Sequence, residues 1–346
     1  MENTLDELFV RRTFDLALQG RGKVSPNPLV GCVIEKNGKI IGEGFHQQFG
    51  GPHAEVNAIN SVPNKEELNG ATLYVNLEPC SHYGKTPPCA NLIIQYPFKK
   101  VVICNLDSNP LVAGKGIKII SDAGIHVDQG ILENEGRKLN VRFFTFMEKK
   151  RPYIILKWAE TEDGFIARKD YSSKWISNVY SRKLVHKWRS EEDAVMIGTN
   201  TALCDNPKLN VRDWQGRDPI RIYIDKNLKV GENSFLRDGS QKTICYNLLQ
   251  NQSLPNQEFV KIDPTSDTLS FILKDLYEKK IQSVIVEGGT KLLQYFIDSN
   301  SWDEARVFTS KVKFGDGIKS PAFHGNIGYV EDVDGDKLTI YNSSSS

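Results

Sequence analysis

Residues 71–107 read ATLYVNLEPCSHYGKTPPCANLIIQYPFKKVVICNLD. ATLYVNLEP has the apolar, β-branched and aromatic content of a strand, CANLIIQY the spacing of a helix, and KKVVICNLD is a second strand. Strands alternating with helices argue for an α/β layered domain. The alternation extends outward on both sides. Residues 5–19 place Leu5, Leu8, Phe9 and Leu16 at helical spacing, and Gly20 and Gly22 end the run. LVGCVIEKNGKIIGEGF (residues 29–45) reads as two strands about an Asn37-Gly38 hairpin turn. HAEVNAINSV after Pro52 and GIKIISDAG (residues 116–124) read as helices, and IHVDQGI (residues 125–131) as a strand.

The charged stretch Glu148-Lys149-Lys150-Arg151-Pro152 marks a boundary. Beyond it a new alternation begins with strand PYIILKWAE, then helix VYSRKLVHKWRS and strands DAVMIG and IRIYID. It continues with helix FILKDLYEKK, strand SVIVEGG and helix TKLLQYFIDS. No internal repeat relates the halves, so two different domains are expected, residues 1–147 and 152–346. A length of 346 residues also favours two domains over one core.

Composition narrows the function. Lys plus Arg number 44 against 43 Asp plus Glu, so no overall basic field is available to hold nucleic acid or an anionic membrane. No run is long and apolar enough to span a bilayer, and MENTLDELFVRR lacks the order of a secretory signal, so a cytoplasmic location is expected. Six cysteines are too few for a disulfide framework. Cys32 and Cys104 fall in apolar strand-like runs and read as buried thiols. Cys80 and Cys89 each follow a proline in a polar loop.

Those two cysteines join Pro52-His53-Ala54-Glu55 in a constellation. One imidazole and two thiolates form a three-ligand set suited to a zinc ion with one open position, a Lewis acid able to ionise water near neutrality. Glu55 lies roughly 200° from His53 around a helix, so the two share no mid-helix face. At the first turn, after Gly50-Gly51-Pro52, both can reach a site beyond the helix end. Cys89 enters a helix where the macrodipole favours a thiolate.

Zinc deaminases carry H-x-E…P-C-x-x-C, whereas here eight residues separate the cysteines. With that longer insert the chain resembles the bifunctional riboflavin-biosynthesis deaminase–reductases. The resemblance rests on Pro26-Asn27-Pro28-Leu29-Val30-Gly31, on Pro52 to Glu55, on Glu78 to Cys89 and on Asn109 to Ile117. It implies a cytidine-deaminase-like first domain in which His53, Cys80 and Cys89 hold one zinc per chain and Glu55 shuttles protons. It further implies that Asn27 and His46 contact substrate, and that His82 and Lys85 grip a ribose phosphate.

In the second half, GRGKVS, AGKGIK and FGDGIK all fail the G-x-G-x-x-G dinucleotide pattern, and no P-loop is present. Glu287-Gly288-Gly289-Thr290, between a strand and a helix, is the remaining candidate for a phosphate cradle, the alternative being a tight strand–helix turn. The resemblance continues through Arg151 to Ala167, Ser173 to Ile176, Arg189, Gly198 to Arg212 and Val286 to Gly289. It implies a dihydrofolate-reductase-like α/β domain that binds NADPH. Ala159, Trp175, Thr201, Asp205, Gly289 and Thr290 would line the cofactor; Ser173, Arg189, Leu209, Arg212 and Glu287 would line the substrate. The two arginines suit its phosphate. Lys157 and Asp163 are candidates for polarising and protonating the sugar. Glu160-Thr161-Glu162, Asn200 and Asn76 depart from the family pattern.

The expected activity is hydrolytic deamination of 2,5-diamino-6-ribosylamino-4(3H)-pyrimidinone 5′-phosphate, then NADPH reduction of its ribosyl chain to ribityl. The expected partners are this small phosphorylated pyrimidine and, by resemblance, further copies of the chain, with no nucleic acid or membrane. An alternative is a nucleic-acid-directed zinc deaminase with a C-terminal binding module, which the charge balance disfavours. A non-catalytic ligand-binding protein of the same fold is disfavoured by the complete His/Glu/Cys/Cys set.

Overall fold

A computed structural model describes residues 2–81, 87–109, 113–172 and 176–343. The chain divides into two units, Met1–Lys150 and Arg151–Ser346. No helix among the described residues is long and apolar enough to cross a membrane.

The first unit is built on a five-stranded sheet, in the order Lys39–Phe45, Gly31–Lys36, Thr72–Leu77, Lys100–Asn105, His126–Gln129. The first two strands form the expected hairpin, with Asn37 and Gly38 both at positive φ, and the last three run parallel. Thr72–Leu77 is central and buried along its whole length. Alternate side chains feed two cores. Leu73 and Val75 pack with Ala54, Ala58, Ile59, Ala90 and Ile93 on one face. Tyr74 packs with Phe9 and Val10 of helix Glu2–Leu18 on the other. The result is a sheet sandwiched between helices.

One close approach fixes the helix that carries the acid. A Cβ on Gly44 would stand 2.3 Å from Ala58 N and 2.6 Å from Ala54 O. Glycine there lets helix Ala54–Ser61 lie directly on strand Lys39–Phe45.

The second unit holds a ten-stranded sheet. Seven strands run parallel in the order Gln257–Lys261, Thr243–Asn247, Ile220–Ile224, Ala194–Gly198, Ser283–Val286, Tyr153–Glu160, Glu304–Thr309. Antiparallel strands Asp336–Asn342 and Asn326–Val333 extend one edge, and Gln252–Leu254 the other. Parallel strands are covered on both faces and read as continuous apolar runs. Thus Ile154, Leu156, Met196, Val284 and Val286 meet Leu273, Leu293 and Phe296 of helices Thr268–Glu278 and Thr290–Asp298. The opposite face buries Val195, Ile197, Tyr223 and Cys245.

Candidate functional site

In the first unit the fully buried central strand delivers Pro79 and Cys80 to its C-terminal end. His53 is the N-cap of helix Ala54–Ser61, and Cys89 is the first residue of the short helix Cys89–Ile93. Three separate pieces of backbone therefore converge. The His53 Nδ1 lies 3.5 Å from Cys80 Sγ and 3.3 Å from Cys89 Sγ, and the three donor atoms all fall within 4.8 Å of one another. The Cys89 backbone N–H donates to Cys80 Sγ at 3.3 Å.

The electrostatics suit a cation. Hydrogen bonding from Cys89, and then from His53, holds the Cys80 thiol down to about 4 against the cost of burial. The hydrogen bond to Cys80, together with burial, pushes the Cys89 thiol well up. The site thus brings two soft sulfur donors and an imidazole together, and a metal ion bound there would displace thiol protons. The donor set fits zinc. Glu55 is 3% exposed, and burial, reinforced by the neighbouring Cys80, pushes its carboxyl up to about 7.

His46 is buried, with its ring edge-on to His53 at 5.3 Å. Its Nδ1 meets the Pro52 carbonyl at 3.0 Å, and its Nε2 meets Asn27 Nδ2 at 3.0 Å. A carbonyl only accepts, so Nδ1 carries the proton and Nε2 accepts from the Asn27 amide. Both ring nitrogens are occupied, which makes His46 a support for Asn27 where a direct substrate contact was expected. His82 and Lys85 lie outside the described residues.

Two residues without an assigned role in the sequence reading hold this site in shape. Asn76, fully buried, accepts from Gly31 N and donates to Leu29 O, tying down the Asn27-containing segment. The carboxylate of Glu78 accepts four backbone N–H groups, from Asp107, Gly114, Gly116 and Ile117. It thereby joins the chain entering Cys80 to the start of helix Lys115–Asp122. The signal in the sequence was a glutamate directly after an apolar strand and two residues before Cys80.

In the second unit a cavity of about 1120 Å³ lies at the C-terminal ends of the parallel strands. Lys157, Ala159, Arg189, Thr201, Asp205, Arg212, Glu287, Gly289 and Thr290 all line it. Arg189 gives Nε and Nη2 to the two oxygens of Glu287, each at 2.7 Å. Burial alone would raise Glu287; Arg189 and Lys157 outweigh it and hold the carboxylate at about 2. Burial lowers Lys157, assisted by Arg189 and opposed by Glu287.

Several expectations need correction. Asp163 does not line the cavity. It is exposed, accepts from Thr161 Oγ1 and fastens the backbone N–H groups of Phe314 and Gly315. Leu209 packs in the core with Val195 and Tyr223, again away from the cavity. Arg189 spends two of its donor positions on Glu287 and a third on Asn210 O, so it is not an open fork for phosphate. Cys204, to which the sequence assigns no role, is exposed and lines the cavity. Ser173 and Trp175 lie outside the described residues. His186, Lys226 and Lys291 line the cavity without having been singled out. For His186 the signal was its helical spacing, three residues before Arg189.

Comparison with known proteins agrees with this division. Residues 3–105 match the cytidine and deoxycytidylate deaminase zinc-binding region, and residues 152–328 match the RibD C-terminal domain. The riboflavin biosynthesis protein RibD of Aquifex aeolicus is 41% identical over 323 residues, covering 92% of this chain and 90% of that one. Its counterpart in Escherichia coli is 35% identical over 334 residues, covering 90% and 89%. The solved diaminohydroxyphosphoribosylaminopyrimidine deaminase/5-amino-6-(5-phosphoribosylamino)uracil reductase of Thermotoga maritima superposes with a TM-score of 0.91 at 39% identity, covering 99% and 100%. Acinetobacter baumannii RibD gives 0.90 at 32% identity, covering 99% of both chains. These relatives bear out a cytidine-deaminase-like first half and a reductase second half, and offer nothing in favour of a nucleic-acid-directed enzyme. The chain belongs to the RibD family, the bifunctional deaminase–reductases of riboflavin biosynthesis.

Proposed function

We propose that residues 1–147 deaminate 2,5-diamino-6-ribosylamino-4(3H)-pyrimidinone 5′-phosphate and residues 152–346 reduce the product with NADPH. The observation that carries the first step is the triangle of His53, Cys80 and Cys89 beside a buried glutamate. Zinc held by these three donors supplies the Lewis acidity that makes water nucleophilic near neutral pH. Glu55 takes one proton from the attacking water to the ring nitrogen, then carries the remaining proton of the added hydroxyl to the departing amino group, so that the carbonyl forms as ammonia leaves. Its burial keeps it poised between its two protonation states. Asn27, oriented by His46, offers its amide oxygen to an N–H of the pyrimidine. His82 and Lys85 take the substrate phosphate.

In the reductase cavity NADPH supplies a hydride to the sugar carbon bearing the amine. The bond from that carbon to the ring oxygen breaks, and Lys157 donates the proton that turns the oxygen into a ribityl hydroxyl. Glu287, kept ionised by Arg189, holds Lys157 charged and accepts from substrate hydroxyls. Arg212 takes the phosphate. Ala159, Trp175, Thr201, Asp205, Gly289 and Thr290 line the cofactor, and Ser173 contacts the substrate. We further propose that the protein works in the cytoplasm as a homo-oligomer.

Metal analysis with paired variants tests the first site. Wild type and Glu55→Gln should both carry about one zinc per chain, with ammonia release lost only in the variant, while Cys80→Ser should lose the metal. A fully loaded Cys80→Ser protein would remove Cys80 from the ligand set.

A further inference from the structure

The turn that carries Asp163 fastens a segment distant in sequence. Strand Glu304–Thr309 ends beside strand Tyr153–Glu160, and Ser310 N donates to Glu160 O at 2.9 Å. From there residues 311–322 run across the C-terminal end of Tyr153–Glu160. They reach helix Thr290–Asp298, which follows the neighbour on the other side, Ser283–Val286. At that helix Thr290 Oγ1 donates to Lys319 O at 3.3 Å. The Gln294 amide exchanges two hydrogen bonds with the Ala322 backbone, at 3.0 and 3.1 Å. The segment forms a strap over one wall of the reductase cavity.

The inner side of the strap belongs to that cavity. Ile318 and Lys319 pair with Ala167 and Phe165 in a short antiparallel ribbon, and Ile166, Ala167 and Ile318 line the cavity with Ala159 and Thr290. The approach is close: a Cβ on Gly317 would stand 2.3 Å from Ala167 O. This wall is apolar, in contrast to the charged end at Lys157, Arg189 and Glu287. A dinucleotide reaching from Ala159 to the helix start at Gly289 and Thr290 lies along it.

Backbone bonds hold the strap at both ends, Glu162 N to Val312 O at 2.9 Å and Ser320 N to Gly164 O at 3.0 Å. Between them a side chain takes over. The Asp163 carboxylate accepts Phe314 N at 3.1 Å and Gly315 N at 2.7 Å, and buried Thr161 donates its hydroxyl to the same carboxylate. Bonds to an ionised acceptor are stronger than neutral ones. The middle of the strap therefore depends on a carboxylate that does not itself line the cavity.

Resting on the reading of this cavity as a dinucleotide site, we propose that Asp163 is a positioning residue for the nicotinamide cofactor. It latches the strap, so that Ile318 and the ribbon stand ready as the apolar wall against which the cofactor packs. The bonds at the strap's two ends remain in Asp163→Ala, so this variant should fold with the strap only partly seated. Calorimetry on the full chain should show NADP⁺ and NAD⁺ weakened by the same factor, about tenfold, because affinity scales with the seated fraction and an apolar wall reads no charge. At saturating NADPH the reductase kcat should stay within about twofold of wild type, with ammonia release unchanged. Trypsin cleavage after Lys313 and Lys319, both exposed, should quicken and be suppressed by saturating NADP⁺. Thr161→Val should move affinity and cleavage the same way, and Thr161→Ser should restore wild-type values. Unchanged affinity in both Asp163→Ala and Thr161→Val, even with faster cleavage, would overturn the proposal, as would a loss of kcat with affinity intact. A wild type that binds neither dinucleotide would overturn the cavity reading and this proposal together.

Discussion

Arg189 and Glu287 meet as a two-point ion pair, Nε to Oε1 and Nη2 to Oε2, from residues 98 apart in sequence. Each side chain is about one-tenth exposed. The pair is therefore held largely away from water, with Lys157 within electrostatic reach of both. A buried pair contributes little beyond well-packed apolar groups, but breaking it by removing one partner is costly.

The pair gives stability a defined acid limb. Glu287 is held at about 2 in the folded protein against its ordinary 4.5. Its contribution is fully present above the ordinary value and is lost as pH falls from there toward about 2, on the order of 3 kcal/mol in all. Glu287→Gln should lower stability by about 3–5 kcal/mol near neutral pH, and the gap to wild type should close on acidification. Urea unfolding at several pH values reads this directly; parallel profiles would show that Glu287 is not the titrating group.

Lys157 should be dispensable for deamination and essential for reduction. Lys157→Met should lower NADPH oxidation by about 10²–10⁴-fold while ammonia release stays at the wild-type rate. Because the donor must be protonated, wild-type reduction should also fall on the alkaline side. The fall should begin below the ordinary lysine value of 10.5, since burial lowers Lys157. A pH profile flat through that range would remove Lys157 as the proton donor.

Gly44→Ala tests how the acid-bearing helix is seated. The new methyl would press on backbone atoms at Ala54 and Ala58, which cannot rotate away. The helix carrying Glu55 must shift, at a cost of about 1–3 kcal/mol, and deamination should fall with reduction preserved. Ammonia release and NADPH oxidation measured on the same preparation separate the two effects.

Glu78→Gln should loosen the segment that faces Cys80. An amide oxygen can replace only one of the two carboxylate oxygens, which leaves two backbone donors unpaired at about 1–3 kcal/mol each. Hydrogen exchange should speed up at Asp107, Gly114, Gly116 and Ile117, with zinc held less tightly against a chelator. Unchanged exchange at these four amides would leave Glu78 without this positioning role.

These relationships mark what a sequence can disclose. His53, Glu55, Cys80 and Cys89 were legible because local spacing and the prolines before them limit what those residue types can do. The hairpin at Asn37-Gly38 was legible because few residues tolerate its backbone. Asp163 was misread because an aspartate before Gly164 looks the same whether it faces a cavity or ties down a loop. Its partners, Phe314 and Gly315, are some 150 residues away. Arg189 read as a phosphate fork for the same reason: Glu287, its partner, is brought to it only by the sheet. Helices Glu133–Leu139 and Val141–Lys149, and strands Thr243–Asn247 and Glu304–Thr309, also went unnamed. Each takes its identity from its neighbours more than from its own pattern.

The central claim, two consecutive reactions on one chain, is tested most directly by product mass. The diamino ribosylamino pyrimidinone phosphate is incubated with the zinc-loaded protein, with and without NADPH. Without NADPH the product should have exchanged one amino group for oxygen; with NADPH it should carry two further hydrogens. Unchanged substrate in the first arm, or no added hydrogens in the second, would contradict the account.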